Sequence, residues 1–519
     1  MVGHGSGEMT GDSTPQATEQ VHTKGEDNQS ARVVILSVND VYELFPNDDG
    51  VGGVAKFATL LARTKASIPS DTKVIITLNG DFLWRSELDR KDKGPMMMDV
   101  MHQLGIEYVV MGNHEFDFGA PYLQELLETA RFTSLGSNIR STSDGELLRG
   151  LVDTTIIPLD NGLKLGMFGV CTTETGEEPF AGDTVRFEDE IPHARRCVEA
   201  LKAQGADVIV GLTHLKMKHD KRLARQVPGV ALILGGHDHE PRTEFIGNTM
   251  IHKSGKDACW LAKIELQLHK TSSRLLGSRT SVDYQWQMVS NRGYPPDQRC
   301  LALLQEYTDR VRAEEEAEGK YVSISKSATA LDGTRTGCRT DECNVGNLIA
   351  DALRCVLGAD VGLLQARLIK GDKRSAPGAS ITPKWLEETL PQLKTTLVIE
   401  LSVKELRKAL LHMLRRYPFM SASMPQVSGF QFVYDISDPD NSLISSMRLT
   451  SAPEEELDGE RRLKVAMPFV PSTDGWDKFF GKYSPLTTGP VLREVVRQYL
   501  QEQPEIAYPS KEGRFRVVR

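Results

Sequence analysis

Short apolar runs alternate with amphipathic segments between Arg32 and Lys270, and this alternation constrains the fold more strongly than any other feature of the sequence. The apolar runs include "RVVILSV", "KVIITLNG", "DVIVGLTH" and "VALILGGHDH". Between them, segments such as "GVAKFATLLARTKAS" and "IPHARRCVEALKAQG" place apolar residues three and four positions apart, which is the spacing of an amphipathic helix. Strands that alternate with helices predict a layered α/β domain.

The rest of the chain predicts a second domain. At 519 residues the chain exceeds what one ordinary hydrophobic core accommodates. A charged amphipathic helix follows residue 290, and helical and strand patterns resume after it. We therefore predict a disordered polar tail at residues 1–30, a first domain at 31–290, a linker helix at 291–320 and a second domain at 321–519.

Composition excludes several classes of protein. The net charge of -9, without a cluster of Lys and Arg, argues against a nucleic-acid polymer as partner. The sequence lacks both a run of about 18 apolar residues and an apolar signal segment, so we predict no membrane partner and a cytoplasmic location. The seven scattered cysteines fit reduced thiols, although Cys338 and Cys343 are close enough in sequence to bridge in an oxidising compartment. The oligomeric state is left open.

Residues that can bind metal follow five of the predicted strands. They are Asp40, Asp81, the group Asn113, His114 and Asp117, then His214, and finally His237 with His239. Ligands of open α/β sheets bind beyond the carboxyl ends of the strands. We therefore expect these side chains to meet at one edge of the sheet.

The chemistry of these residues predicts a pair of divalent ions. Carboxylates, imidazoles and an amide, without thiolate, suit Mn, Fe, Zn, Co or Mg. Two such ions can activate water and hold the oxygens of a phosphoryl group. A lone Gly-Asp after a strand is usually a turn, and a lone His is usually structural. The clusters "GNHEFD" and "GGHDH" are harder to explain in that way, because gathered buried charges require compensation.

The series resembles the calcineurin-like metallophosphoesterases, specifically the 5'-nucleotidase family. The resemblance rests on Asp40, "GD" at 80–81, "GNHEFD" at 112–117, "TH" at 213–214 and "GHDH" at 236–239. In addition, "CRTDECNVGNLIADALR" at 338–354 is similar to the opening of the family's C-terminal domain. The resemblance implies a four-layered α/β/β/α metallophosphoesterase domain, followed by a second, smaller α/β substrate-binding domain.

The resemblance also implies roles for individual residues. The first metal would be held by Asp40, Asp81 and His239, and Asp81 would bridge to the second metal. The second metal would be completed by Asn113, His214 and His237. The catalytic pair would be His114, which stabilises the transition state or protonates the leaving oxygen, and Asp117, which orients it.

Tyr42 departs from the family, which often has a metal-binding His two residues after the first Asp. Two interpretations follow. Iron(III) could bind the phenolate, or the first metal could have fewer protein ligands, with water or the Tyr42 hydroxyl beside it. We favour the second interpretation, because a hydrolytic metal needs an open position.

The predicted substrate pocket also departs from the family. The residues that match family positions in contact with substrate are Arg339, Gln365, Lys370, Met424, Phe469 and Asp474. The segment "QARLIK" replaces an Asn and an Arg of the family by Gln365 and Lys370, and Lys cannot repeat a two-pronged guanidinium contact. Met424 replaces one of the two aromatic rings that hold a base. Alternatively, "QARLIK" is a repacked segment without influence on substrate.

We therefore expect a dinuclear-metal phosphohydrolase that acts on a small phosphate ester, with a 5'-nucleotide as the favoured substrate, in nucleotide catabolism. A phosphatase or phosphodiesterase for a different metabolite is the alternative enzyme. A catalytically weak binding or scaffold protein is the alternative from another class, and the altered pocket is its best support.

Overall fold

A computed structural model describes residues 10–12, 27–177, 181–273, 277–438, 443–469 and 480–518. The chain divides into two compact units, Met1–Val311 and Arg312–Arg519. The division lies within the helix Gln298–Ala317, inside the segment predicted as a linker helix.

Unit 1 contains fifteen described strands, six complete α-helices and the first part of a seventh, α7, which continues past the division. The strands are β1 Thr10–Asp12, β2 Asp27–Val38, β3 Lys73–Asn79, β4 Tyr108–Val110, β5 Thr133–Leu135, β6 Ile139–Ser141, β7 Thr154–Pro158, β8 Lys164–Cys171, β9 Val185–Phe187, β10 Val208–His214, β11 Leu232–Gly235, β12 Pro241–Ile246, β13 Thr249–Ser254, β14 Trp260–Ser273 and β15 Gly277–Ser290. The helices are α1 Val54–Ala66, α2 Glu87–Asp92, α3 Pro95–Leu104, α4 Ala120–Leu127, α5 Glu190–Ala203, α6 Met217–Gln226 and α7 Gln298–Ala317.

Two sheets face each other in unit 1. The first sheet has the order β1-β15-β14-β2-β3-β4-β5, and the second has the order β12-β13-β11-β10-β8-β7. In β2, Val33 and Ile35 belong to the apolar core shared with the second sheet, whereas Val34 and Leu36 pack in the core shared with α1, α3 and α4. This two-sided burial explains why the strand is a continuous apolar run. Helices α5 and α6 cover the other face of the second sheet, which confirms the four-layered α/β/β/α arrangement.

The prediction of a disordered tail at residues 1–30 is wrong for the two parts of it that the structure describes. Thr10–Asp12 form β1, which pairs with β15, and β2 begins at Asp27 rather than after residue 30. The polar start of β2 pairs with β14 as far as Ser272. Polar composition suggested disorder, but a neighbouring strand supplies the backbone hydrogen bonds that such a segment needs.

Unit 2 is a smaller α/β unit with its own core. Its described strands are β16 Ser325–Ser327, β17 Leu331–Asp332, β18 Val361–Gln365, β19 Arg374–Ser375, β20 Ser380–Ile381, β21 Thr395–Ser402, β22 Pro425–Ser428, β23 Phe430–Asp435, β24 Leu443–Leu449, β25 Arg462–Pro468, β26 Thr487–Val491, β27 Glu505–Ile506 and β28 Phe515–Val518. Its described helices are α8 Arg335–Thr340, α9 Asn344–Val356, α10 Pro383–Thr389, α11 Val403–Leu414 and α12 Leu492–Gln501. The largest sheet has the order β22-β18-β25-β21-β26.

Among the described helices, none combines the length and the apolar character that crossing a membrane requires.

Candidate metal centre

The carboxyl ends of strands from both sheets meet at one side of unit 1. Strands β2, β3 and β4 are parallel neighbours in the first sheet, and β10 and β11 are parallel neighbours in the second. The sequence predicted a single sheet edge. The structure instead uses two facing sheets. The predicted metal ligand His214 is the last residue of β10, and the other predicted ligands lie in the loops that follow β2, β3, β4 and β11.

The loops after β2 and β3 place two buried carboxylates side by side. Asp40 and Asp81 each follow their strand by two residues. Both have a left-handed backbone, with φ of 54° and 57°, which is uncommon for residues other than glycine. The N–H of Asp40 donates to the Gly80 carbonyl at 3.0 Å, so the loops are joined directly. Backbone conformations of this kind cluster at functional sites.

Asn113, His214 and His237 converge on Asp81. The His214 Nε2 atom lies 3.3 Å from Asp81 Oδ1 and 3.2 Å from Asn113 Oδ1. The His237 Nδ1 atom lies 3.1 Å from the same Asn113 oxygen. Ligand atoms of Asp81, His214 and His237 all lie within 4.8 Å of one another. This set of oxygen and nitrogen donors fits a divalent ion, and it contains every residue predicted for the second metal.

A second hydrogen bond fixes the His214 ring. Its Nδ1 donates to the Asn79 carbonyl at 2.9 Å, which directs Nε2 towards the centre. Burial lowers the pKa of His214, but the Asp81 carboxylate outweighs burial and raises that pKa to about 9. Burial and the charge of His214 lower the pKa of His237 to about 4. Because a ligating imidazole must be neutral, His214 would lose its proton when a cation binds.

The Tyr42 hydroxyl lies among the residues predicted for the first metal. It is 2.8 Å from Asp40 Oδ1, 2.7 Å from Asp81 Oδ2 and 2.9 Å from His239 Nε2. The structure thus brings Asp40, Asp81 and His239 together around a phenol. Burial and the two carboxylates raise the pKa of Tyr42, so the hydroxyl is neutral. Whether Tyr42 ligates a metal stays a prediction.

His114 and Asp117 form a pair at the turn that follows β4. The His114 Nδ1 atom lies 3.2 Å from both carboxylate oxygens of Asp117, and Nε2 lies 3.9 Å from Asp81 Oδ2. Burial lowers the pKa of His114, but the hydrogen bond that its ring donates to Asp117 and the charge of Asp81 raise that pKa overall. A protonated imidazole here can donate to an oxygen that gains negative charge.

Glu115 anchors the backbone of the two loops that carry Asp81 and Asn113, and the sequence analysis did not identify it. Its buried carboxylate accepts backbone N–H groups from Asp81 at 2.9 Å, Phe82 at 2.8 Å, Leu83 at 3.0 Å and Gly112 at 2.6 Å. Burial and the charge of Asp81 raise the pKa of Glu115. One side chain therefore holds the loops after β3 and β4 together. A Glu enclosed in the motif "GNHEFD" was the available signal.

Lys253 plays a similar part behind the loops after β10 and β11, and it was also missed. The Lys253 ammonium is completely buried and lies 2.8 Å from Asp220 Oδ2 and 3.4 Å from Asp238 Oδ2. It donates to the carbonyls of Leu215 at 2.6 Å and Gly236 at 2.5 Å. A Lys within the buried strand "TMIHKS" was the signal, because a buried ammonium requires partners.

In unit 2, the predicted substrate residues Arg339 and Lys370 belong to a cluster of cations. Burial, followed by the charges of Arg339, Arg335 and Arg367, lowers the pKa of Lys370. Burial and Arg335 also lower the pKa of Arg339, whose Nε is buried without a hydrogen-bond partner among the described residues. The mutual lowering of these pKa values by neighbouring positive charges, which Asp372 offsets only in part at Arg339, favours an anionic ligand. Arg335 and Arg367 were not predicted.

The structure does not expose every residue predicted to bind substrate. Gln365 is 3% exposed and Met424 is 2% exposed, and Met424 packs in the core of unit 2. Phe469 is 51% exposed and available to a ligand, whereas Asp474 lies outside the described residues. Phe419 is a further exposed aromatic residue. It lies two residues before Ser421, whose N–H donates to the Arg339 carbonyl. The substrate roles themselves stay predictions.

Comparison with known proteins agrees with these two units. Residues 33–241 match the calcineurin-like phosphoesterase family, and residues 323–482 match the 5'-nucleotidase C-terminal domain. A snake venom 5'-nucleotidase of Gloydius brevicauda is 26% identical over 93% of this chain and 88% of that protein. A 5'-nucleotidase of Bos taurus is 26% identical over 90% of this chain and 85% of that protein.

A solved structure shows the same fold. The crystal structure of a 5'-nucleotidase precursor from Thermus thermophilus has a TM-score of 0.56 and 24% sequence identity. The match covers 94% of this chain and 99% of that chain. The succession of the two units is therefore shared along nearly the whole chain.

Proposed function

Because this chain belongs to the 5'-nucleotidase family of calcineurin-like metallophosphoesterases, we propose that it hydrolyses 5'-nucleotides with two divalent ions. The broader activity, metal-dependent hydrolysis of phosphate esters, follows from the family. The observation that carries the proposal is the group Asp81, His214 and His237, with ligand atoms within 4.8 Å of one another. We propose that Asp40, Asp81 and His239 hold the other ion.

The protein's own residues supply the rest of the reaction. When bound, divalent ions would lower the pKa of the attacking water and neutralise the phosphoryl oxygens. His114, with its pKa raised overall, would donate a hydrogen bond or a proton to the leaving oxygen. Asp117, 3.2 Å away, would keep the imidazole ring oriented.

We propose that unit 2 recognises the nucleotide. The cluster of Arg335, Arg339, Arg367 and Lys370 fits the negative charge of a phosphate group. Phe469, which is 51% exposed, offers a ring on which a base can stack. Hydrolysis of such substrates would place the protein in nucleotide catabolism.

One observation favours a second candidate, a phosphatase or phosphodiesterase for another small metabolite. Met424 stands where the family has one of the two aromatic rings that hold a base, and it is only 2% exposed, so it offers a base little contact. The close approach of Asp81, His214 and His237, together with the pair His114 and Asp117, argues against the scaffold alternative.

A panel assay tests these proposals. Full-length protein loaded with Mn, Zn, Mg, Co or Fe is given nucleoside monophosphates, sugar phosphates and p-nitrophenyl phosphate. Highest kcat/KM on nucleoside monophosphates supports the main proposal. Highest kcat/KM on sugar phosphates supports the second candidate, and inactivity on every ester with every metal supports the scaffold.

We also propose a cytosolic location, in which Cys338 and Cys343 stay reduced. The structure contains no disulfide bond among the seven cysteines, all of which it describes, but it brings the Sγ atoms of Cys338 and Cys343 to 2.7 Å of each other, so these two residues report on the redox compartment. Such a pair would become a disulfide in an oxidising compartment. Rapid alkylation of cell extracts without reductant tests this location. Recovery of both residues alkylated agrees with it, whereas a disulfide between them contradicts it.

A further inference from the structure

Arg85 is an exposed cation beside the metal centre that the mechanism above does not use. Its guanidinium carbon lies 5.0 Å from the centroid of the Tyr42 ring, the stacked position of a cation–π contact. The hydroxyl of that ring contacts Asp40 and Asp81. The His114 ring meets the same Tyr42 ring edge-on, with centroids 6.2 Å apart. Arg85 therefore lies close to both the metal ligands and the catalytic His.

The backbone on both sides of Arg85 is fixed. Trp84 is completely buried, and its ring centroid lies 5.0 Å from that of Phe118. Trp84 has a left-handed backbone, with φ of 61°, which turns the next residue away from the core. The Ser86 side chain caps α2 by accepting the N–H of Asp89. Because the backbone on both sides is already held, binding of a ligand would have to order only the Arg85 side chain and not the loop.

The guanidinium of Arg85 has no acidic partner in the part of the chain that the structure describes. Among the residues that the structure describes, none forms an ion pair or hydrogen bond with it. Its planar fork of N–H donors matches two oxygens of a phosphate group. Near neutral pH a phosphomonoester carries one more negative charge than a phosphodiester, so an added cation favours the monoester more strongly.

We propose that Arg85 binds the phosphoryl group of the substrate and thereby selects phosphomonoesters over phosphodiesters, an inference that rests on the proposed function. The residue adds a cation from unit 1 at the reacting end of the substrate. The Tyr42 ring and the anchored Ser86 hold the guanidinium next to the metal centre, and neither of them carries a negative charge that would neutralise it.

Three variants of the full-length protein test this inference. Arg85→Ala removes the cation, and Arg85→Lys keeps a charge without the fork. Arg90→Ala is the matched control, because Arg90 is an exposed arginine on the adjacent helix α2. Metal content is measured first, and calorimetry then measures inorganic phosphate binding to the metal-loaded protein. The kcat/KM for p-nitrophenyl phosphate follows. Bis(p-nitrophenyl) phosphate is scored by turnover or by its inhibition constant.

We expect Arg85→Ala to weaken phosphate binding and to lower the monoester kcat/KM by about 10- to 100-fold, the loss typical of a hydrogen bond to a charged group. In the same variant, the kcat/KM or the inhibition constant for the diester should change by less than about threefold. The monoester kcat/KM of Arg85→Lys should lie between those of Arg85→Ala and wild type, and that of Arg90→Ala should equal the wild-type value. Unchanged phosphate binding in Arg85→Ala, equal losses for both esters, or loss of metal would overturn the inference. Wild-type protein inactive on every ester would overturn the proposed function instead, while calorimetry would still decide on Arg85.

Discussion

The Tyr42 hydroxyl lies 2.7 Å from Asp81 Oδ2, so a phenol contacts the carboxylate that we propose to bridge the two metal ions. The same hydroxyl is 2.8 Å from Asp40 Oδ1. A donor that shares the lone pairs of both carboxylates competes with a cation for them. We therefore expect the first metal to bind more weakly than the second.

Tyr42→His is expected to tighten binding of the first metal by about tenfold or more, because an imidazole ligand replaces a competing donor. Calorimetric titration of the apo-protein with Mn or Zn measures the change. Tyr42→Phe is the control, since it removes the hydroxyl and adds no ligand. Equal affinity in wild type and Tyr42→His would contradict the prediction. A visible absorption band that disappears in Tyr42→Phe would instead identify iron bound to the phenolate.

Asp81→Asn is expected to lower the occupancy of both metal sites, because one carboxylate charge serves two cations. Asp48→Asn, a change at an exposed carboxylate in the same unit, should leave metal content unchanged. Elemental analysis after dialysis against a fixed metal concentration provides the measurement. Two ions retained per chain in Asp81→Asn would exclude the bridging role.

His114→Ala is expected to lower kcat by a factor on the order of 10²–10⁴ while metal content is retained, because it removes a transition-state partner and no metal ligand. The loss should be larger for an alkyl phosphate than for p-nitrophenyl phosphate, whose leaving group needs less protonation. Near wild-type turnover of the alkyl ester would show that His114 has no such role.

Asp89→Asn is expected to change how stability depends on pH. Burial raises the pKa of Asp89 to about 8, from 3.8 in an unfolded chain, despite the hydrogen bond from the Trp84 N–H. Between these values the folded chain holds a proton that the unfolded chain has lost. The free energy of unfolding therefore falls as pH rises, by up to about 1.4 kcal/mol per pH unit.

The Asn variant lacks this titration, so its stability relative to wild type should increase as pH rises through the window. Urea unfolding midpoints of both proteins at several pH values measure the difference. Asp144→Asn, at an exposed carboxylate, is the control. A difference between Asp89→Asn and wild type that stays constant with pH would refute the prediction.

Phe469→Ala is expected to raise KM for nucleoside monophosphates by about 3- to 10-fold, because an exposed ring that can stack on a base is lost. KM for p-nitrophenyl phosphate should stay within about twofold in this variant. Leu393→Ala, at a residue that is 67% exposed, controls for loss of exposed apolar surface. An equal rise of KM for nucleoside monophosphates and for p-nitrophenyl phosphate would argue against base stacking.

Much of the metal centre could be predicted because its signals are local. Asp40, Asp81 and His214 follow apolar runs, and parallel strands bring the residues after them to one side. The supporting residues could not be assigned in the same way. The partners of Lys253 come from three other elements, and a sequence does not show which carbonyls a buried ammonium will meet.

The substrate pocket was harder to predict for a related reason. Met424 directly precedes β22, and its burial depends on how the core of unit 2 packs rather than on its neighbours in sequence. Introducing a Phe there would overpack the core at a cost of about 1–3 kcal/mol instead of creating a stacking surface. Arg85 gave no sequence signal, because its significance depends on the distant Tyr42 ring.

The Glu115 carboxylate holds two loops through backbone N–H groups, and this bears on whether the chain folds before or after it binds metal. These hydrogen bonds join the Glu115 carboxylate to the backbone N–H groups of Asp81 and Gly112, and none of them uses a side chain that we propose to bind metal, so they can form before a cation binds. Folding and metal acquisition then become successive steps. Newly made apoprotein would accumulate as a folded precursor, and the ion it finally carries would reflect which cation the cell supplies at that moment.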